Sequence, residues 1–472
     1  MVSSMTRRAL IASSVASLAV PTVMGSSAAA GQAPGLLVER RIIEVDGRAA
    51  SVFGIRQPDG TPGVVLDPGQ MFSVTVENRA TEATIIHWHG QTPPFLQDGV
   101  AETGGILIQP GTVQPYDFPA RPGTHWMHSH HGLQEQALMA APLIVRTAAD
   151  LKDDVQDVTV LLHDFSFRDP AEVLAGVTGA GKAVPGGASM PGMAMAPAAG
   201  VPDLNDYDYD AYLANDRTLS DPSVIRAAPG NRVRLRLING ATSTAFWIDT
   251  AALEGTVIAA DGNPVLPVTG RRFPLAQGQR LDIMVTIPPE GGAFPVLAQR
   301  EGDRRRTGIV LASAGAIVRK VADAADATVP PVDNALEARL VAALPLTPGN
   351  GAVTHRVALT GSMMPYVWSL DDRTWADHMP LHAVKGQRVV VEMSNRTRMA
   401  HPMHLHGHHF QVVALGGASL SGAMRDTVLV PASGSVTVAF DADNPGRWLF
   451  HCHNLFHMAT GMMTELAYDG IA

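Results

Sequence analysis

A single cysteine, Cys452, stands in a chain of 472 residues, so no intrachain disulfide framework holds this fold together. Aromatic residues make up only 5% of the chain and charged residues 17%, yet hydrophobic residues reach 46%, which places it among globular rather than disordered proteins. It has no block of Lys and Arg. The net charge is −9, and without Arg7 and Arg8 the remainder stands at −9 − 2 = −11. Such a balance argues against nucleic acid as a partner. Beyond residue 30 no segment holds the roughly 18 uninterrupted apolar residues that a membrane-spanning helix needs, so no span is expected in the mature chain. Long helical periodicity is scarce as well, while 45 Gly and 34 Pro supply turns for many short strands.

The N-terminus reads as an export signal. Met5-Thr6-Arg7-Arg8 precedes an apolar run over residues 9–23, and Ala28-Ala29-Ala30 follows as a cleavage site. This is the layout of a secretory signal peptide over residues 1–30. The paired arginines resemble the twin-arginine type, which exports folded proteins. The expected location is the periplasm, an oxidising compartment in which a lone cysteine needs a reason to persist.

An internal repeat organises the rest. Residues 69–78, 230–239 and 386–395 each open on a turn glycine, continue as an alternating strand and close on asparagine. The strands read FSVTVEN, VRLRLIN and VVVEMSN, and the copies start 161 and 156 residues apart. That spacing points to three copies of one domain rather than a solenoid. Further strands are expected at 158–162, 281–287, 436–440 and 448–450. The fold class that follows is all-β, with three Greek-key β-sandwich domains at residues 31–150, 151–320 and 351–472. A linker is expected at 321–350, and a Gly-, Ala- and Pro-rich mobile surface loop at 176–204.

Histidines sit at matching places in the first and third copies. Nine and eleven residues after Asn78 come His87 and His89 (HWHG); at the same offsets from Asn395 come His404 and His406 (HPMHLHG). The second copy has Ile248 and Thr250 there. Five and seven residues after Gly123 come His128 and His130, and after Gly446 come His451 and His453. On a strand, His-x-His points both imidazoles to one face about 6–7 Å apart. Four such pairs with matching spacing predict a cluster of several metal ions between the first and third domains.

Cys452 identifies the metal. Lying between His451 and His453, it points its sulfur away from their shared face, so two metal centres can flank one strand. Cys452, His401 and His457 form a His₂Cys set with Met462 as a weak axial ligand, the donor set of a blue-copper electron-transfer site.

HWHG, HSHHG, HPMHLHG and HCHNLFHMATGM resemble the four copper motifs of the multicopper oxidases, and the likeness spans essentially the whole mature chain. Within that family it is most similar to the three-domain periplasmic copper-resistance oxidases and bacterial laccases. The resemblance implies cupredoxin-like domains and four coppers per chain. It implies a type 1 site at His401, Cys452, His457 and Met462, type 2 ligands His87 and His404, and a type 3 pair on His89, His128, His130, His406, His451 and His453. The implied reaction is one-electron oxidation of a reductant, with electrons passing through Cys452, coupled to four-electron reduction of O₂ to water. A monomer is expected.

Protons must come from acids near the cluster. Asp98 resembles the family's acid beside the trinuclear centre. Many relatives carry a glutamate directly after the last type 1 histidine; here that position is Met458. Glu135 is a lesser candidate, and Asp426 reads as structural. His125, His131, His408 and His409 flank the motifs without filling a ligand slot. For the reductant the reading favours Cu⁺ and copper tolerance, with thioethers at Met190, Met193, Met195, Met363, Met364 and Met399 as soft docking groups. Against this, Thr397 stands where some cuprous oxidases place an acid. The alternative is a laccase acting on phenols or aromatic amines. A copper-free structural role conflicts with the presence of every predicted ligand.

Overall fold

The computed structural model describes residues 35–179, 204–347 and 351–471. The expected signal peptide, and with it Arg7 and Arg8, lies outside the described residues, as do Met190, Met193 and Met195. The described chain forms six sheets in three successive pairs. The result is the expected all-β architecture of cupredoxin-like sandwiches. Among the described residues no helix is long and apolar enough to cross a membrane.

The first pair shows how the sequence builds a sandwich. One sheet orders Arg48–Arg56, Gly35–Val45, Met71–Asn78 and Val113–Pro119; the other orders Val64–Leu66, Ala140–Val145, Gly123–Ser129 and Ile86–His87. Along Met71–Asn78 the alternate residues Phe72, Val74, Val76 and Asn78 are buried. The three apolar ones share a core with Trp88, Met127 and Leu143 from the facing sheet. Residues 156–312 form a six-stranded and a five-stranded sheet, and residues 353–468 a seven-stranded and a five-stranded one.

The three repeat strands occupy equivalent places. Each pairs in parallel with the first strand of its own sandwich: Val38↔Asn78, Leu162↔Asn239 and Leu359↔Asn395. The closing asparagine does the same work each time. Its Nδ2 donates to Glu82 O and Ile108 O for Asn78, to Thr244 O and Leu275 O for Asn239, and to Met399 O and Val430 O for Asn395. Its Oδ1 accepts from the backbone N–H two residues on, at Ala80, Ala241 and Thr397. One buried side chain thus satisfies three backbone groups at a strand end, where unpaired buried groups are costly.

One connection differs from expectation. The helix Pro170–Val177, capped by Asp169, runs into the stretch expected to be loop from residue 176. The segment expected as a linker is itself closely packed. Val329, Val332, Leu336 and Leu340 are buried, Val332 N donates to Glu301 Oε2, and Leu266 N donates to Val341 O. Apolar residues three and four apart hold this Pro-rich segment against the second sandwich, and Asn334 Nδ2 ties it to Leu429 O of the third.

Candidate metal centre

The residue between each histidine pair anchors its motif. Trp88 is fully buried against Phe72 and Tyr116, with ring centroids 4.6 and 4.8 Å away. Leu405 and Cys452 are buried likewise, and Ser129 Oγ donates to Gln134 Oε1. With the middle residue turned into the sandwich, its neighbours are turned out of it. Strict strand alternation does not persist through the motifs, however. His89, His130, His406 and His453 each lie just past the ends of Ile86–His87, Gly123–Ser129, His401–Leu405 and Arg447–Cys452. Within the pairs the ring centroids stand 5.7, 6.1, 4.7 and 5.8 Å apart.

The histidines gather in groups whose ligand atoms all lie within 4.8 Å of one another: His87, His89 and His404; His89, His128 and His453; His130, His406 and His451. His128 and His130, His404 and His406, and His451 and His453 are each divided between groups, while His87 and His89 share the first group with His404. A separate group joins His401, Cys452 and His457. Cys452 Sγ is 3.7 Å from His401 Nδ1 and 3.6 Å from His457 Nδ1. Met462 is buried beside it; its N–H donates to His457 O and its carbonyl accepts from Cys452 N.

The outward nitrogen of most rings is held by a fixed acceptor. His87 Nδ1 donates to Asp98 O, His404 Nδ1 to Asp426 O, His406 Nδ1 to Asp98 Oδ2, and His451 Nδ1 to Cys452 O. His128 Nδ1 donates to Ser129 O and lies 3.0 Å from Glu135 Oε2. These bonds leave Nε2 bare, turned inward. His89 is reversed: Nε2 faces Asp426 Oδ1 at 3.0 Å and Thr427 Oγ1 at 3.2 Å, so Nδ1 is the bare atom. In the sulfur group, His401 Nε2 donates to Thr397 Oγ1 and His457 Nε2 to Asp206 Oδ1, leaving both Nδ1 atoms bare.

The bare atoms need a cation. His404 Nε2 lies 3.4 Å from His87 Nε2, and His406 Nε2 lies 2.9 Å from His451 Nε2. His89 Nδ1, His128 Nε2, His130 Nε2 and both nitrogens of His453 are buried with no hydrogen-bond partner. Burial holds His89, His128, His130, His404, His406 and His451 well below the ordinary imidazole value, and His453 at about 3. Protons therefore do not fill the cluster at neutral pH. Burial also pushes the Cys452 thiol up, so a thiolate there requires a compensating metal. Neutral imidazoles with fixed outer hydrogen bonds and one buried thiol suit copper.

Asp98 is buried against two of the rings, with Oδ2 at 2.8 Å from His406 Nδ1 and Oδ1 at 3.2 Å from His87 Nδ1. Glu135 contacts His128, and burial raises its carboxyl to about 7. Met458 lines a cavity of about 530 Å³ with Glu102, His130, Leu133, Trp375 and Met463. Of the flanking histidines, His408 contacts Tyr468 Oη at 2.6 Å and His409 contacts Gly90 O and Asn263.

Three residues at the site lay beyond the sequence reading. Asp426, expected to be only structural, touches His89. Arg280 grips Asp426. Asp206 meets His457, with Tyr366 Oη donating to its Oδ1 and Asn454 Nδ2 to its Oδ2. The second copy, with no His-x-His pair, gave no reason to look for Arg280 and Asp206 there.

Sequence models described as multicopper oxidase match residues 38–150, 159–318 and 351–470. The chain is 32% identical to the multicopper oxidase MmcO of Mycobacterium tuberculosis, over 85% of this chain and 80% of that one. It is 26% identical to a copper resistance protein A homolog of Pseudomonas syringae pv. tomato, over 90% of each chain. In fold it is similar to a laccase from Botrytis aclada, with a TM-score of 0.75 at 23% identity, covering 92% of this chain and 87% of that one.

Proposed function

This chain belongs to the multicopper oxidase family, and on that footing we propose that it couples one-electron oxidation of a reductant, in the favoured reading Cu⁺, to four-electron reduction of O₂ to water. In this reading His401, Cys452, His457 and Met462 hold a type 1 copper, and His87 and His404 hold a type 2 copper. His89, His128, His130, His406, His451 and His453 hold the type 3 pair, giving four coppers per chain. Bound there, copper supplies the one-electron steps and the storage that lets four electrons reach O₂ together. The observation that carries the reading is the set of bare, buried nitrogens converging beside the His401–Cys452–His457 group.

The chain supplies the remainder. Cys452 joins the sulfur group to the rings of His451 and His453 through a few covalent bonds, and the His451 Nδ1–H bond to Cys452 O adds a second short route. The cavity beside His130 gives O₂ and water a way in and out. Asp98 is the carboxyl assigned to proton delivery, since Met458 cannot carry a proton.

On the reductant side, the Asp206 carboxylate against His457 Nε2 favours a cation. Met364, in the turn between Val353–Met363 and Tyr366–Leu370, is 89% exposed. It stands two residues from Tyr366, whose Oη donates to Asp206. The name of the copper resistance relative points the same way. The laccase reading is the alternative, since Asp206 is buried and held by Tyr366, Asn454 and His457, and so selects no reductant by direct contact. Export to the periplasm by the twin-arginine route rests on Arg7, Arg8 and the apolar run that follows.

The test is metal analysis of the copper-loaded protein, combined with O₂ uptake driven by Cu⁺ or by a phenol. About four coppers and a blue thiolate–copper band are expected. One copper or none would sink the proposal; uptake with phenols alone would replace Cu⁺ by the laccase reading.

A further inference from the structure

The second sandwich has no predicted ligand, yet it reaches the histidine cluster through the turn that precedes Arg280–Thr286. Arg280 is fully buried and touches all three sandwiches. Its Nε donates to Thr124 O at 3.1 Å, and Nη2 lies 3.4 Å from His125 Nδ1. Its backbone N–H donates to Asp261 Oδ1 at 2.8 Å. Its fork closes on Asp426, Nη1 to Oδ1 at 2.7 Å and Nη2 to Oδ2 at 2.5 Å. The next residues along the turn also press on the cluster. Gln279 Nε2 donates to Thr427 O. Gly278 has φ +79°, and a Cβ there would lie 2.8 Å from His453 Cδ2 and 3.2 Å from His89 Cε1.

We infer that Arg280 is a positioning residue of the histidine cluster: by gripping Asp426 in a two-toothed fork, it fixes His89 to present Nδ1 where His87, His404, His406 and His451 present Nε2. The inference rests on the copper-binding reading above. Asp426 Oδ1 accepts from His89 Nε2, so the His89 proton is pinned on that atom and Nδ1 stays bare. The carboxylate can hold this role only while it stays charged and unrotated in its fully buried position. A planar guanidinium provides both conditions, because two parallel bonds set the carboxylate plane and one charge neutralises the other.

Two further features belong to the same device. Asp261 accepts from the backbone of Arg280, Asp426 and Thr427 and pairs with Arg425, which in turn pairs with Glu337 of the connecting segment. The charges therefore alternate across the joint between the second and third sandwiches. The HWHG motif also ends in glycine for a reason. At Gly90, with φ +88°, a Cβ would stand 2.4 Å from His125 Nδ1 and 2.5 Å from Arg280 Nη2. Only glycine leaves room for the fork beside the ligand loop.

The test compares full-length protein with Arg280→Lys and Asp426→Asn. Lysine keeps the charge and loses the fork. Asparagine keeps the shape, but its amide facing His89 donates to Nε2 and drives the ring proton to Nδ1. Titration with copper reads affinity and stoichiometry, the blue band reports the Cys452 group, and paramagnetic resonance reports the histidine-held copper. Expected is a loss of about 10–100-fold in copper affinity at the histidine cluster, with altered resonance, an unchanged blue band, and the larger effect in Asp426→Asn. If both variants bind copper with wild-type affinity and resonance, whatever their melting temperature, Arg280 is structural filling and the inference fails. If Asp426→Asn does not accumulate folded, Arg280→Lys decides alone. Wild-type protein that takes up no copper at the cluster would overturn the functional proposal itself, a different result.

Discussion

His451 and Cys452 are adjacent in the chain, yet their side chains join different clusters, and His451 Nδ1 donates back to the Cys452 carbonyl at 2.9 Å. The imidazole points at His406 and His130 while the sulfur points at His401 and His457. One strand end therefore links two donor sets by backbone alone. Cys452→Ser keeps the backbone and this hydrogen bond and removes the only thiolate donor. The expected outcome is complete loss of the blue band and oxidase activity falling to background, with copper at the histidine cluster retained. Absorbance, metal analysis and O₂ uptake on one preparation check all three. A variant that keeps its blue colour would disprove the assignment of Cys452.

Asp98 touches two rings on their outer nitrogens, and Asn is its closest neutral shape. Asp98→Asn is expected to slow O₂ reduction by about 100-fold, the usual scale for losing a positioned acid or base. Reduction of the Cys452 site by substrate should be unaffected, so the blue colour bleaches during turnover. Stopped-flow absorbance reads this directly. Turnover at the normal rate would leave Asp98 as a turn residue at the end of Phe95–Gln97.

The legible parts of this molecule were those written in local periodicity. The glycine-to-asparagine repeat marked three equivalent strands, and the histidine offsets marked where ligand groups sit on two of them. Side-chain alternation separated Cys452 from its neighbours. Arg280 and Asp426 are 146 residues apart, and Asp206 and His457 are 251 apart. No local pattern records such pairings; they appear only when sandwiches pack. The connecting segment read only as a linker, and the burial of Val329, Val332 and Leu336, three and four residues apart, is likewise visible only once the sandwiches pack.

Asn239 offers a test of the fold away from the cluster. Asn239→Ala strands the carbonyls of Thr244 and Leu275 and the N–H of Ala241. At roughly 1 kcal/mol or more for each unsatisfied group, the second sandwich should lose about 2–4 kcal/mol. Denaturant unfolding measures it, and a loss under about 0.5 kcal/mol, the ordinary surface value, would remove this account of the repeat.

Glu301 predicts a pH dependence of stability. It is buried, and burial raises its carboxyl to about 7, with Val332 N–H only partly opposing the shift. Between the ordinary value of 4.5 and about 7 the folded state holds a proton that the unfolded chain releases. Stability contributed by this group therefore falls as pH rises through that window and is fully lost above it. The difference is on the order of 2–3 kcal/mol. Glu301→Gln, neutral at every pH, should lose this slope and gain on the wild type at pH above about 7. Parallel unfolding curves at several pH values compare the two; identical slopes would show that Glu301 ionises freely.

The reductant can be decided by thioether chemistry. Met364 is exposed two residues from Tyr366, and Met190, Met193 and Met195 precede Asp206 in the sequence. Sulfur is a soft donor that binds Cu⁺ and offers little to a phenol. Serine at these four positions should raise KM for Cu⁺ by about tenfold, the scale of roughly 1.4 kcal/mol of binding, and leave KM for a bulky phenol nearly unchanged. Asp206→Asn should slow both substrates, since the carboxylate holds His457 through its Nε2. Thr397→Asp places a second acid on the other imidazole, His401, where a hydroxyl now stands at 2.7 Å, and should favour Cu⁺ alone. If the serine variant affects both substrates equally, or neither, the methionines are not a docking site. The laccase reading then gains, because no soft donor would set Cu⁺ apart from a phenol.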